Sequence, residues 1–110
     1  MFLKNVFRFG GRMPVSMFVD DNGHYSDAEY RSGPRVFETA DAALAEARWI
    51  VDKCLDELHE RGMTARALFE RYMHFGEDPW LVPWDGGPTV PFSAWDYAKE
   101  RCSAVCDGQM

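Results

Sequence analysis

The densest run of groups that could do chemistry is Asp20-Asp21-Asn22-Gly23-His24-Tyr25-Ser26-Asp27. Asp20, Asn22 and His24 lie two apart, which suggests the opening of a calcium loop. The pattern stops there: an EF-hand needs an oxygen ligand at its fifth position, Gly at its sixth and Glu at its twelfth. Those positions hold His24, Tyr25 and Arg31. A His beside Asp could be an acid–base pair, because a carboxylate orients the imidazole and stabilises its cation. Adjacency alone fixes no such geometry, and no Gly-x-Ser-x-Gly elbow supplies a nucleophile. His59 and His74 fall on two other segments. The plain reading is a solvated turn rich in local caps. The functional reading is a loop that presents His24, Tyr25 and Tyr30.

Cys102 and Cys106 lie four apart, and Cys54 is remote from both. Three thiols without a Cys-x-x-Cys pair make a weak zinc signal, since structural zinc takes four ligands. Cys54 and Cys102 fall on apolar stripes, where a thiol packs as a small hydrophobe, and Cys106 lies nearer the exposed end. Gly10-Gly11 and Gly86-Gly87 lack phosphate-loop spacing. Neither a metal nor a cofactor is expected. Among four tryptophans, Trp95 reads as core and Trp49 lies beside an apolar stripe. Trp80 and Trp84 stand in a stretch with Pro79, Pro83 and Pro88, beside Glu77 and Asp78. They either cover the core or anchor a partner.

The elements that must position these groups read as follows. Phe2–Phe9 and Met13–Val19 flank Gly10-Gly11 and suggest a hairpin, with Val15, Met17 and Val19 on one face. Ser26-x-x-Glu29 has capping-box spacing over a single short turn. Arg35–Phe37 is a third candidate strand. Thr39 caps a long helix from Ala40 to about Arg61, with Ala43, Leu44, Ala47, Ile50, Val51, Cys54, Leu55 and Leu58 as its apolar stripe. Gly62 suits the residue after the helix. Thr64 caps a second helix to about Phe75, carrying Leu68, Phe69, Tyr72 and Met73. Glu77–Val90 reads as an ordered loop or irregular strand pair. Ser93 caps a third helix to about Cys106. Strands first and helices later predict an α+β domain: a small antiparallel sheet of about three strands packed on a long helix, with two further helices.

The chain has 110 residues, which reads as one domain over 1–110. Its net charge is -6, and residues 1–13 hold Lys4, Arg8 and Arg12 without an acid. An acidic body disfavours nonspecific nucleic-acid binding and suits a basic partner. No apolar run approaches the ~18 residues of a membrane span. Residues 1–13 lack an apolar signal region, so reduced thiols and a cytoplasmic location are expected.

Several stretches look familiar together: Phe18-Val-Asp-Asp-Asn22 with His24-Tyr25, Gly62-Met-Thr-Ala65, Phe75-Gly-Glu-Asp-Pro79, and Phe92-Ser-Ala-Trp-Asp-Tyr-Ala98 followed by Arg101-Cys102. They resemble a family of small bacterial proteins of unknown function, about this long, over Val15 to Cys106. The resemblance implies a bacterial, cytoplasmic protein and nothing chemical.

The expected function is a non-enzymatic binding module for a protein or small ligand. Its site would comprise Asp20, Asp21, Asn22, His24, Tyr25, Tyr30, Glu77, Asp78, Trp80 and Trp84, provided the two loops meet in space. One alternative is a small enzyme with an Asp/His site around residues 20–27, which requires an enclosed pocket. Another is a self-associating structural protein.

Overall fold

A computed structural model describes residues 14–24, 27–83, 87 and 89–107. The fold is α+β. Strand β1 (Val15–Asp21) leads through two single-turn 3-10 helices, Asn22–His24 and Ala28–Tyr30, to β2 (Ser32–Phe37). Helix α1 (Ala40–Leu58), helix α2 (Ala65–Phe75), strand β3 (Glu77–Pro83) and helix α3 (Ala94–Asp107) follow. The sheet order is β2-β1-β3, antiparallel throughout.

The third strand therefore comes from Glu77–Pro83, within the stretch that reads as a loop or irregular strand pair. Pro79 and Pro83 donate no ladder hydrogen bond, and an edge strand tolerates that. Both sides of β1 are taken by β2 and β3. The expected hairpin partner, Phe2–Phe9, lies outside the described residues.

Alternation on β1 buries Val15, Met17 and Val19 on the face that meets α1. Met17 and Val19 pack with Ala47 and Ile50. The rest of the α1 stripe (Val51, Cys54 and Leu55) turns to Leu68 and Tyr72 of α2 and to Ala98 and Cys102 of α3. One helix thus joins the sheet to the other two helices. Cys106 is buried as well, correcting the expectation that it lies near an exposed end; the last turn of α3 still packs on the core.

The helix starts follow the sequence. Thr39 Oγ1 accepts from Ala42 N–H, Thr64 Oγ1 from Ala67 N–H, and Ser93 Oγ from Asp96 N–H. These satisfy donors that a helix start leaves orphaned. α1 stops at Leu58 rather than near Arg61, because His59 turns to extended backbone. Gly62 does adopt a left-handed φ of 83°, but in the turn between the helices. In the first loop the cap is Asp27, whose Oδ1 accepts from Glu29 N–H; Ser26 lies outside the described residues.

β1 and β2 change register between Met17 and Val19. The irregularity falls at Gly33, whose φ is 109° and where a Cβ would stand 2.6 Å from the Met17 carbonyl oxygen. This offset brings Arg31 to the end of β1 that carries the acidic residues.

Candidate functional site

The β1–β3 register places Asp20 opposite Asp78 and Asp21 opposite Glu77, with Phe18 opposite Trp80. The two candidate loops therefore meet at one end of this ladder. Facing like charges are unfavourable on a sheet, and the protein relieves them unequally. Arg31 Nε donates to Asp20 Oδ1 at 2.6 Å, and Nη2 donates to Oδ2 at 3.2 Å. This two-point contact is the strong geometry for Arg and carboxylate. It holds the Asp20 carboxyl below its ordinary value of 3.8, with the Trp80 indole N–H close by and assisting. The guanidinium also lies 5.1 Å from the centre of the Trp80 ring, which stacks on Phe18 at 4.8 Å.

Asp78 has no comparable relief. Its carboxylate has no hydrogen-bond or ion-pair partner among the described residues. Burial first, and the charge of Asp20 second, push its carboxyl up to about 6. It lines an open cleft of about 510 Å³ between β3 and the start of α3, with Pro79, Trp80, Phe92, Ser93, Ala94 and Trp95.

A second cleft, of about 490 Å³, opens beside the first 3-10 turn. Asp21, Asn22, Gly23 and His24 line one side; Met73, His74 and Phe75 line the other. Here the candidate residues divide by role. Asp20 and Asn22 are buried, 8% and 7% exposed, and act as fasteners. Asn22 N–H donates to the Gly76 carbonyl at 3.0 Å, and its Nδ2 donates to the Tyr72 carbonyl at 2.8 Å. Carbonyls at the end of α2 thereby find partners from a different element. The Tyr72 hydroxyl donates to the Glu77 carbonyl at 2.6 Å, locking α2 to β3.

The surface above these fasteners is aromatic. The His24 ring stacks on Tyr30 at 3.7 Å, nearly parallel, and Tyr30 is 49% exposed. Phe75 is 73% exposed across the cleft. Asp21 Oδ1 accepts from Gly23 N–H at 2.8 Å, and its Oδ2 makes a long 3.4 Å contact with His24 Nδ1. Both side chains of that pair face water. Glu77, opposite Asp21 on the ladder, is exposed, and its Oε1 lies 4.0 Å from the Cys54 thiol. Tyr25 and Trp84 lie outside the described residues.

Three groups escaped the sequence reading. Arg31 carries no local signal; only the β1–β2 pairing shows its reach to Asp20. Phe75 marks only the end of the second helix in the sequence reading, outside its apolar face of Leu68, Phe69, Tyr72 and Met73; it stands exposed in the last turn, just before the Gly76 cap. Phe92 stands just before the Ser93 cap and is half-buried at the β3 cleft.

Among the described residues, no group of three or more His, Cys, Asp or Glu is placed to hold a metal ion. No helix there is long and apolar enough to cross a membrane. No family model, curated protein or solved structure matches the chain.

Proposed function

We propose that the protein is a non-enzymatic binding module whose recognition surface is the cleft between the Asn22–His24 turn and the end of α2. Its contact groups are Tyr30, His24 and Phe75, flanked by the carboxylates of Asp21 and Glu77. The carrying observation is an exposed Phe75 facing an exposed His24–Tyr30 stack, with buried hydrogen bonds from Asn22 fixing the ground between them. Large rigid aromatics at a pre-organised surface concentrate binding energy. The flanking carboxylates and the net charge of -6 favour a basic protein partner. The resemblance to small bacterial proteins supports a bacterial origin and adds no chemistry.

The enzyme reading gains nothing from this geometry. An acid–base pair works when enclosed and oriented, whereas His24 and Asp21 stand in open water.

The test is affinity capture from extract of the native cells with wild type and a Tyr30→Ala/Phe75→Ala double variant, side by side. The wild type should retain proteins of basic charge that the double variant loses. Identical captured sets would refute the reading.

A further inference from the structure

We propose that the cleft between β3 and the start of α3 binds a small organic cation: an ammonium group on an apolar or aromatic body. Asp78 is its counter-ion, and Trp80, Phe92 and Trp95 are its walls. This site shares no lining residue with the surface assigned to a protein partner, and it goes beyond that reading.

The size fits. About 510 Å³ lies within the ~300–1,000 Å³ usual for small-molecule sites. The lining fits as well. Apart from Asp78, every described lining side chain is aromatic, small or proline, so among the described lining residues one carboxylate supplies the formal charge. Aromatic faces attract cations through their quadrupoles, and the attraction grows when water is excluded.

The charges around Asp78 decide the sign of the ligand. From β1 it faces Asp20, whose two oxygens already engage Arg31, so that guanidinium is committed elsewhere. From α2 it faces the Tyr72 hydroxyl, which stays protonated and donates to the Glu77 carbonyl. From α3 comes the positive end of a helix, which alone would favour an anion. That end is already served: Ser93 Oγ takes the Asp96 N–H, and Asp96 places a carboxylate in the first turn. An anion in the cleft would therefore meet Asp78 with little to offset the repulsion. An ammonium ion gives Asp78 the opposite charge that the described residues around it do not supply. Burial and Asp20 both penalise the ionised carboxyl, and a bound cation reverses that penalty.

The test follows the indole N–H signals of Trp80 and Trp95 by NMR in the full chain. The probes are phenethylammonium and neutral 2-phenylethanol, which share an aromatic body and differ in charge. Phenethylammonium should shift both signals at pH 7.5 and bind at least about tenfold tighter than the alcohol. In the wild type that affinity should fall about tenfold at pH 5, where a carboxyl titrating near 6 is mostly protonated. Asp78→Asn should remove the preference for the charged probe while keeping a dispersed spectrum. Equal affinity for both probes, no shift with phenethylammonium up to about 50 mM, or a charge preference that survives in Asp78→Asn would each overturn the proposal. The pH series uses wild-type protein alone, so it decides the matter even where the variant folds poorly. Failure here leaves the Phe75 surface untouched, because capture through that surface does not involve Asp78.

Discussion

Two carboxylates on neighbouring strands, Asp20 and Asp78, face each other and have been pushed apart in acidity. Their effects on stability have opposite signs. Asp20, lowered by Arg31, contributes stability that is present above its ordinary value of 3.8 and lost as pH falls through the folded value. Asp78, raised to about 6, contributes stability that is present below 3.8 and lost as pH rises through about 6. Asp78→Asn should therefore stabilise the protein at pH 7 by about 1–2 kcal/mol, after discounting the shift for partial exposure. That gain should be gone by about pH 4, where Asp78 in the wild type is neutral too. Arg31→Met should do the reverse: a loss at pH 7 that shrinks in acid as Asp20 protonates. Urea midpoints across the pH range check both variants, provided the denaturant slope stays constant. Parallel pH profiles for the two variants would contradict the assignment.

At the scale of elements, what could be read from sequence was local and what could not was paired. Thr39, Thr64 and Ser93 announce three helices because a cap acts within one turn. The stripe from Ala43 to Leu58 announces α1 because helical periodicity is a property of one segment. β3 stayed undecided between a loop and an irregular strand pair because Pro79 and Pro83 weaken a strand signal, and the edge beside β1 makes them acceptable. The α1 stripe ends where the helix does, at Leu58; the expected end near Arg61 overran it toward Gly62, which instead sits in the following turn. The site was legible as a set of residue types: Asp20, Asp78 and Trp80 are all in it. Their adjacency depends on the β1–β3 register, and the fasteners Asn22 and Arg31 work only through partners many residues away.

One fastener can be tested by crowding. A Cβ at Gly76 would stand 2.4 Å from the Tyr72 ring, and Tyr72 is fully buried. Gly76→Ala should cost roughly 2–4 kcal/mol, as overpacking against a ring that cannot move does. It should also loosen the Phe75 end of α2, visible as faster amide exchange there. A second element-scale prediction concerns the thiols. Cys102 is pushed up to about 11 by burial and by Cys106, and burial raises Cys54 as well. Iodoacetamide at pH 8 should leave both unmodified in the folded protein and label them in denaturant.

For the whole molecule, the sheet, α1 and the two shorter helices form a frame whose one acidic end carries both clefts. The surface assigned to a partner is held by groups that are themselves buried, so contact residues and fold should be separable by mutation. Phe75 and Tyr30 are exposed and fill no core position. Tyr30→Ala/Phe75→Ala should stay within about 0.5 kcal/mol of wild-type stability per site, as exposed substitutions usually do. Asn22→Ala should lose stability instead, because it strips the buried side-chain hydrogen bond from the Tyr72 carbonyl near the end of α2, while the backbone N–H bond to Gly76 remains. Electrostatics gives the second half of the prediction. If carboxylates around Asp21 and Glu77 steer a basic partner, association slows as salt shortens the Debye length from ~10 Å at 0.1 M, while dissociation changes little. The aromatic double variant should show the complement: faster dissociation with nearly unchanged association. Surface-plasmon measurements of wild type and double variant on a captured partner, at two salt concentrations, separate the two effects. Salt acting on dissociation and the aromatic substitutions acting on association would reverse the division of labour argued for this surface.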